Sequence, residues 1–371
     1  MRCIRTRERE TGMEKRRDRH PFHMHDAILA QPEAFARVLE NNGATADEFA
    51  VGVASCDRLF LVGIGTSYHA ARVGEHLLRE YGGGLDARAI DSFDFALYGP
   101  DLGPGDCVVA VSHRGTKRYT ARALERALDA GCRTALVTGE GGAVSVETGT
   151  VFKTVAQERS SAHTVSYAGA ISVLADLAGR VGFHRTGSEL LSRELLRDRI
   201  PAALREALGT EERVQSLARE HVGRRRIWLL GGGPSAVTAE EVALKIKETS
   251  YLQAEGMSTE TMLHGPFQCV ESDDLFVLVA PTGAAQERTL EVAEIVDEVG
   301  GACLVVGDAT ADVLRADLLA VPEVPEPFTA LTCLAPLQLF AYHLALARAT
   351  NPDTFRTDDP RFARADVSGR L

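Results

Sequence analysis

The chain has seven cysteines (Cys3, Cys56, Cys107, Cys132, Cys269, Cys303 and Cys333) but no CxxC pair, and it has no HExxH motif. With no Cys/His cluster at ligand spacing, a resident metal is not expected. An odd cysteine count without close pairing suits a reducing compartment, and Cys107, Cys132 and Cys303 sit in or beside apolar runs as small hydrophobes would. The GxSxG nucleophile elbow is missing. No apolar run is read as approaching the length of a membrane span. The first twenty residues carry a cluster of Lys and Arg around no apolar core, which is not the pattern of a secretory signal, and Met13 is a second candidate start. Basic excess is lacking as well: 41 Lys and Arg face 52 Asp and Glu, a net charge of −11. Nucleic acid and membrane are therefore not expected as partners, since both select a basic surface. The expected location is the cytoplasm.

What the chain does contain is a duplication. LFLVGIGTS (59–67) matches IWLLGGGPS (227–235), and DCVVAVSHRG (106–115) matches DLFVLVAPTG (274–283), both at an offset of 168 residues. Each block is an apolar β-type run that breaks into a polar turn before a helical pattern. Repetition at this length means two copies of one domain rather than a solenoid unit.

Strands are predicted at 58–63, 106–111 and 133–138, with a weaker one at 86–90. Helices are predicted at 25–41, 45–54, 67–80, 116–130 and 162–179. The second copy predicts strands at 226–230, 274–279 and 302–306, with helices at 210–221, 234–252, 284–298 and 329–349. Alternation of this kind predicts an α/β protein of two tandem doubly wound, flavodoxin-like parallel-sheet domains. The expected organisation is a disordered tail at 1–22, a first domain at 23–190, a second at 209–350 and a polar tail at 351–371.

Ligands of open parallel sheets bind beyond the carboxyl ends of the strands. Gly63-Ile64-Gly65-Thr66-Ser67 offers backbone amides and two hydroxyls at a helix start, suited to an oxyanion or simply to capping that helix. It is not the dinucleotide fingerprint, because Tyr68 stands where a third glycine would be. Ser112-His113-Arg114-Gly115-Thr116-Lys117 is a dense donor cluster apt for phosphate or sugar hydroxyls. Its counterpart, Ala280-Pro281-Thr282-Gly283, has lost almost all of it, so the first copy is the expected binder. Lys245 and Glu248 lie three apart on one helical face. That helix is read as running on into residues 253–266, which end in His264-Gly265-Pro266. A carboxylate, an amine and a histidine suit proton transfer on a carbonyl substrate, although a surface ion pair is the ordinary explanation for the spacing of the first two. His69, His163 and His343 lie in helical patterns and are individually read as structural or surface residues.

Taken with His23-Met24, Gln31-Pro32, Gly65 through Ala70, Ser112-x-x-Gly115, Glu158 and Ala162-x-Thr164, these motifs resemble a known family. Ala243-Leu244-Lys245-x-Lys247-Glu248-x-Ser250-Tyr251, His264-Gly265-Pro266 and Pro336 through His343 complete the resemblance. The chain is similar to tandem SIS (sugar isomerase) proteins, most closely to the isomerase half of the glucosamine-6-phosphate synthases, over residues 20–350. The resemblance implies that Gly65, Thr66, Ser67 and the 112–117 loop, with Ser161 and His163, bind a hexose 6-phosphate. It implies that Glu248 moves a proton between the first two sugar carbons with Lys245 in support. His264 would assist ring opening across a dimer interface, and no cofactor is implied.

Four departures from that pattern stand out. A 22-residue leader is no glutaminase domain, and Cys3 is not its nucleophile; whether another chain supplies one stays open. Arg114 and Lys117 replace hydroxyl donors in the family's Ser-Gln-Ser-Gly-Glu-Thr loop. Residues 350–371 contain no lysine for the synthase's imine, which the arginines there cannot form. Glu260-Thr261 replaces the Gly-Glu before His-Gly-Pro. The function expected is isomerase or aminotransferase-type chemistry on a hexose or amino-sugar 6-phosphate. A deaminase or deglycase of amine-linked sugar phosphates is one alternative, and a non-catalytic sugar-phosphate sensor is another.

Overall fold

Aliphatic runs with little alternation are what parallel strands need when helices cover both faces. The computed structural model describes residues 17–308 and 316–365, so Cys3, Met13 and the last six residues lie outside the described residues. The first sheet contains β1 (Arg58–Gly63), β2 (Asp86–Asp91), β3 (Asp106–Val111), β4 (Arg133–Glu140) and β5 (Thr150–Ala156). All are parallel, in the order β2-β1-β3-β4-β5. The second contains β6 (Ile227–Gly231), β7 (Ala254–Ser258), β8 (Leu275–Val279), β9 (Ala302–Gly307) and β10 (Asp317–Ala320). Its order, β7-β6-β8-β9-β10, repeats the first, so both halves are doubly wound with a switch point between their first and third strands.

Successive strand residues serve opposite faces. Leu59 and Leu61 enter a core shared by the two halves, while Phe60 and Val62 face a separate outer cluster. Leu229 likewise faces the shared core, and Trp228 and Leu230 face the outer cluster of the second half. The helices Thr66–Tyr81 and Pro234–Ser250 pack on each other between the sheets. Arg72 pairs there with Glu240, the residue 168 positions on, which is its own repeat equivalent. A side chain on Gly65 would meet Leu244 and one on Gly233 would meet His76, a second pair of contacts related by that offset. The duplication has folded into an internal two-fold, each helix offering the other the same face.

Several elements differ from the sequence reading. β5, β7 and β10 are outer strands of modest apolar content that the periodicity did not mark. β7 reads AEGMS and joins the sheet because Gly256 has no side chain: a Cβ there would lie 2.3 Å from the Ala239 carbonyl oxygen. The helix carrying Glu248 stops at Ser250, with Tyr251 left-handed at φ 59°. It therefore does not run on to His264, which ends the separate helix Thr259–Leu263. The two expected N-terminal helices are Gln31–Val53, one unbroken helix, preceded by His23–Leu29. Residues 17–22 are not a free tail: Phe22 is buried, and the His20 ring bonds the Tyr342 hydroxyl at 2.7 Å. At the other end, the buried Asp353 accepts the amides of His23 and Met24 and gives its own carbonyl to Ser161. The helical stretch Glu326–Ala347 is, by length and composition alone, long and apolar enough to cross a membrane, contrary to the sequence reading; nearly all of it is buried inside the protein.

Candidate functional site

The two polar turns follow β1 and β3, neighbouring strands at the switch point of the first sheet. Gly65 caps the helix Thr66–Tyr81 at φ 58°, turning the chain so that Thr66 and Ser67 sit at the helix start. Gly115 is held at φ 71° against the next connection, where a Cβ would lie 1.7 Å from the Ala143 carbonyl oxygen. Ser145 Oγ donates to the Gly115 carbonyl, and the Ala143 amide donates to that of Arg114. The 112–117 loop is thus fixed by its backbone, leaving Arg114 and Thr116 exposed and Lys117 half-buried. Burial and the neighbouring Arg114 lower the Lys117 pKa below the ordinary lysine value.

Below this loop lies a cavity of about 20 Å³, bordered by Thr66, Ser67, His113, His163, Ser166 and Tyr167 among others. That is room for about one water. Among the described residues, His113 Nδ1, His163 Nε2 and the Tyr167 hydroxyl are buried without a hydrogen-bond partner, as is Ser112 Oγ beside them. Each such group costs about 1–3 kcal/mol when unmet, so water or a polar group would be stabilised beside these four. The Glu158 amide donates to His113 Nε2 at 3.1 Å, so the proton of neutral His113 sits on Nδ1. Neutral is its state: burial, helped by Arg114, pulls His113 down to about 4. Burial and nearby cations pull His163 to about 2, and its ring stands edge-on to His113 at 5.0 Å. The cations that sequence places at this loop are therefore Arg114 and Lys117, and His113 is a neutral donor.

The other half of the site comes from the helix Pro234–Ser250. Glu241, Lys245 and Glu248 are spaced i, i+4 and i+7, which puts them on one face. Lys245 Nζ is 2.6 Å from Glu248 Oε2 and 3.4 Å from Glu241 Oε1, and it donates to Thr66 Oγ1 at 3.0 Å. Thr66 in turn donates to Glu241 Oε1 at 3.0 Å, and His69 Nδ1 lies 2.6 Å from Glu241 Oε2. Burial alone would lower the Lys245 pKa, but Glu241, Glu248 and Glu158 more than offset it and hold the amine protonated. Glu241 is fully buried; despite that burial, Lys245 and His69 keep its pKa low. Burial raises Glu248, against the pull of Lys245, and its side chain keeps about 20% exposure. Glu158 is also raised by burial; its carboxylate accepts the amides of Thr164 and Ser166, and so caps the helix Val165–Thr186.

The structure therefore brings Lys245 and Glu248 to the Thr66–Ser67 turn within one chain. Thr66 is fully engaged in that junction rather than free for a ligand. Ser161 is half-buried and its amide is committed to Asp353. His264 is not part of the cluster: its side chain is 74% exposed and bonds the Glu260 carbonyl one turn back. Sequence reasoning left out Glu241, His69, Ser166 and Tyr167. The i+4 spacing from Lys245 could have found Glu241. His69, read as structural or surface, is the partner that fixes it.

In the second half the equivalent turn is filled by the chain itself. Asp308 accepts both the amide and hydroxyl of Thr282, and Glu326 accepts the Ala284 amide. A Cβ on Gly232 would lie 2.2 Å from Ala285 Cβ, so the two turns meet closely there. Two carboxylates stand where an anionic ligand would otherwise enter.

Comparison with known proteins agrees with this architecture. The chain is 29% identical over 330 residues to the glutamine–fructose-6-phosphate aminotransferase of Pyrococcus horikoshii, covering 88% of this chain and 55% of that protein. It thus spans about half the length of the curated relatives it matches. Among solved structures, the C-terminal domain of glucosamine-fructose-6-phosphate aminotransferase from Francisella tularensis superposes with a TM-score of 0.81 at 21% identity, covering 91% of this chain and 99% of that one. The glucosamine-6-phosphate deaminase of Thermotoga maritima gives 0.71 at 20% identity, covering 90% and 97%. The SIS domain matches twice, at residues 52–178 and 222–348, one match on each parallel sheet, and the chain belongs to the SIS domain family.

Proposed function

We propose that the protein is a sugar-phosphate enzyme that shifts a proton between the first two carbons of a hexose or amino-hexose 6-phosphate. The observation that carries this reading is the junction of Lys245 and Glu248 with the Thr66 turn, directly beside the buried unpartnered donors of the first sheet. The phosphate lies on the 112–117 loop, met by Arg114, Lys117 and the Ser112 hydroxyl, with Ser67 from the neighbouring turn. Glu248 as carboxylate takes the proton from the carbon beside the carbonyl and returns it to the neighbouring carbon through an enediol or enolamine. Its raised pKa makes it a stronger base than an ordinary glutamate. Lys245 stays an ammonium and stabilises the developing oxyanion; an amine held protonated by carboxylates does not attack a carbonyl to form an imine. His264, exposed on its own chain, serves the site of a second copy in a homodimer.

The test is solvent-deuterium exchange at the second carbon, followed by NMR across a panel of hexose and amino-hexose 6-phosphates, with ammonia release measured in parallel. Glu248→Gln should abolish exchange while leaving ligand affinity nearly unchanged. A variant that exchanges as fast as the parent would refute the assignment. A parent that binds a 6-phosphate yet exchanges none of the panel would leave a sensor as the reading.

A further inference from the structure

We propose that Glu220, His221 and Asp317 bind one divalent transition-metal ion of the zinc type, at the edge of the second sheet. Glu220 and His221 end the helix Glu211–His221, and Asp317 opens β10. One ligating atom from each lies within 4.8 Å of the other two. His221 Nε2 faces Asp317 Oδ2 at 4.0 Å, too far for a hydrogen bond. His221 is only 2% exposed, and both its ring nitrogens are buried without a hydrogen-bond partner among the described residues. A buried imidazole that faces a carboxylate oxygen at this separation has the arrangement of two ligands on either side of an ion. Zinc bonds of about 2.0–2.2 Å set ligand atoms about 3.3 Å apart at a tetrahedral ion, so closing the group takes about half an ångström of side-chain movement.

One neutral imidazole and two carboxylates suit a borderline ion such as Zn²⁺, and the two negative charges match a dication. Burial lowers the His221 pKa, which keeps the ring neutral and able to ligate. Arg213 bonds Asp317 Oδ1, the oxygen turned away from His221, and so orients Oδ2 toward the ring. Outer partners of this kind commonly fix a metal's carboxylate ligand. Arg213 and Arg224 also bring positive charge near His221, and Glu220 and Asp317 oppose it. Glu220 is exposed and Asp317 partly so, which lets both adjust and leaves the fourth position to water. The set belongs to the second copy alone: 168 positions earlier stand Gly52, Val53 and Gly149, whose side chains cannot ligate. The ion ties down β10, the outermost strand, which pairs with β9 and buries only Leu319 of its four residues. Sequence spacing gives no sign of such a site, because β10 is remote in the chain from the helix that it meets.

The experiment titrates Zn²⁺ into the chelator-treated full chain by calorimetry near neutral pH, and locates the ion by anomalous diffraction at the zinc edge. An anomalous peak bounded by His221 Nε2, Asp317 Oδ2 and a Glu220 oxygen is expected. Glu220→Gln and Asp317→Asn change accessible side chains, so they test the site even if the buried His221→Gln fails to fold. Each should weaken the binding at least about tenfold. Saturating Zn²⁺ should raise the thermal midpoint of the parent and leave that of Asp317→Asn where it was. Zinc found at the exposed Cys269 or elsewhere, with no peak at His221, overturns the proposal. An affinity that both carboxylate variants leave unchanged overturns it as well.

Discussion

Replacing Lys245 by Met tests whether the buried charge junction holds the two halves together as its geometry implies. Lys245 is 1% exposed and bridges three groups: Glu241 and Glu248 on its own helix, and Thr66 on the facing one. Methionine keeps most of the volume but leaves Glu241, with no exposure at all, facing only Thr66 and His69. Removing one partner from a buried pair costs about 3–5 kcal/mol. The lower end is expected here, because Glu248 is one-fifth exposed and can turn toward water. The loss should also depend on pH. Without the ammonium, burial raises the Glu241 pKa in the folded state above its unfolded value, so the folded chain binds the extra proton. Stability of the variant then falls as pH rises through that range and recovers in acid. Urea unfolding followed by circular dichroism and by Trp228, the single tryptophan and a reporter on the second half, should show the deficit at pH 8. At pH 5 the deficit should be smaller by at least ~1.4 kcal/mol, the equivalent of one pKa unit. A deficit below ~1 kcal/mol that is equal at both pH values would refute the reasoning.

Changing both Arg114 and Lys117 to Ala should weaken binding of a hexose 6-phosphate far more than of the free sugar, measured by calorimetry; equal weakening would give the loop another role. His113 is held near 4 while an ordinary histidine titrates near 6.5, so the unfolded chain takes up a proton that the folded chain refuses. Stability should fall by up to about 3 kcal/mol as pH drops from 6.5 to 4 on this account, and His113→Gln should flatten that part of the urea-midpoint curve. Gly256→Ala sets a Cβ against the Ala239 and Glu240 backbone, which no rotamer relieves. A loss of about 1–3 kcal/mol is expected from such overpacking, and an unchanged thermal midpoint would show that β7 can move aside.

The sequence alone determined the duplication, the two doubly wound sheets and the polar turns that follow β1 and β3, because each rests on local signals: apolar runs, turn glycines and helical periodicity. It also marked the Lys245–Glu248 pair, since residues three apart on a helix share a face wherever the helix packs. β5, β7 and β10 escaped because an outer strand of ordinary composition is stabilised by its neighbour in the sheet rather than by its own residues. Only the tertiary structure decided what those polar groups face. Glu241 and His69 became partners because the internal two-fold presses the helices Thr66–Tyr81 and Pro234–Ser250 together. His113, which sequence offers as one more phosphate donor, became a neutral ring through burial, with Arg114 beside it, and the Glu158 amide that it accepts fixes its tautomer. The second copy's turn was closed by Asp308 and Glu326, carboxylates that lie 26 and 42 residues beyond the groups they accept. Hydrogen bonding and desolvation depend on where distant segments meet, and no local pattern records that.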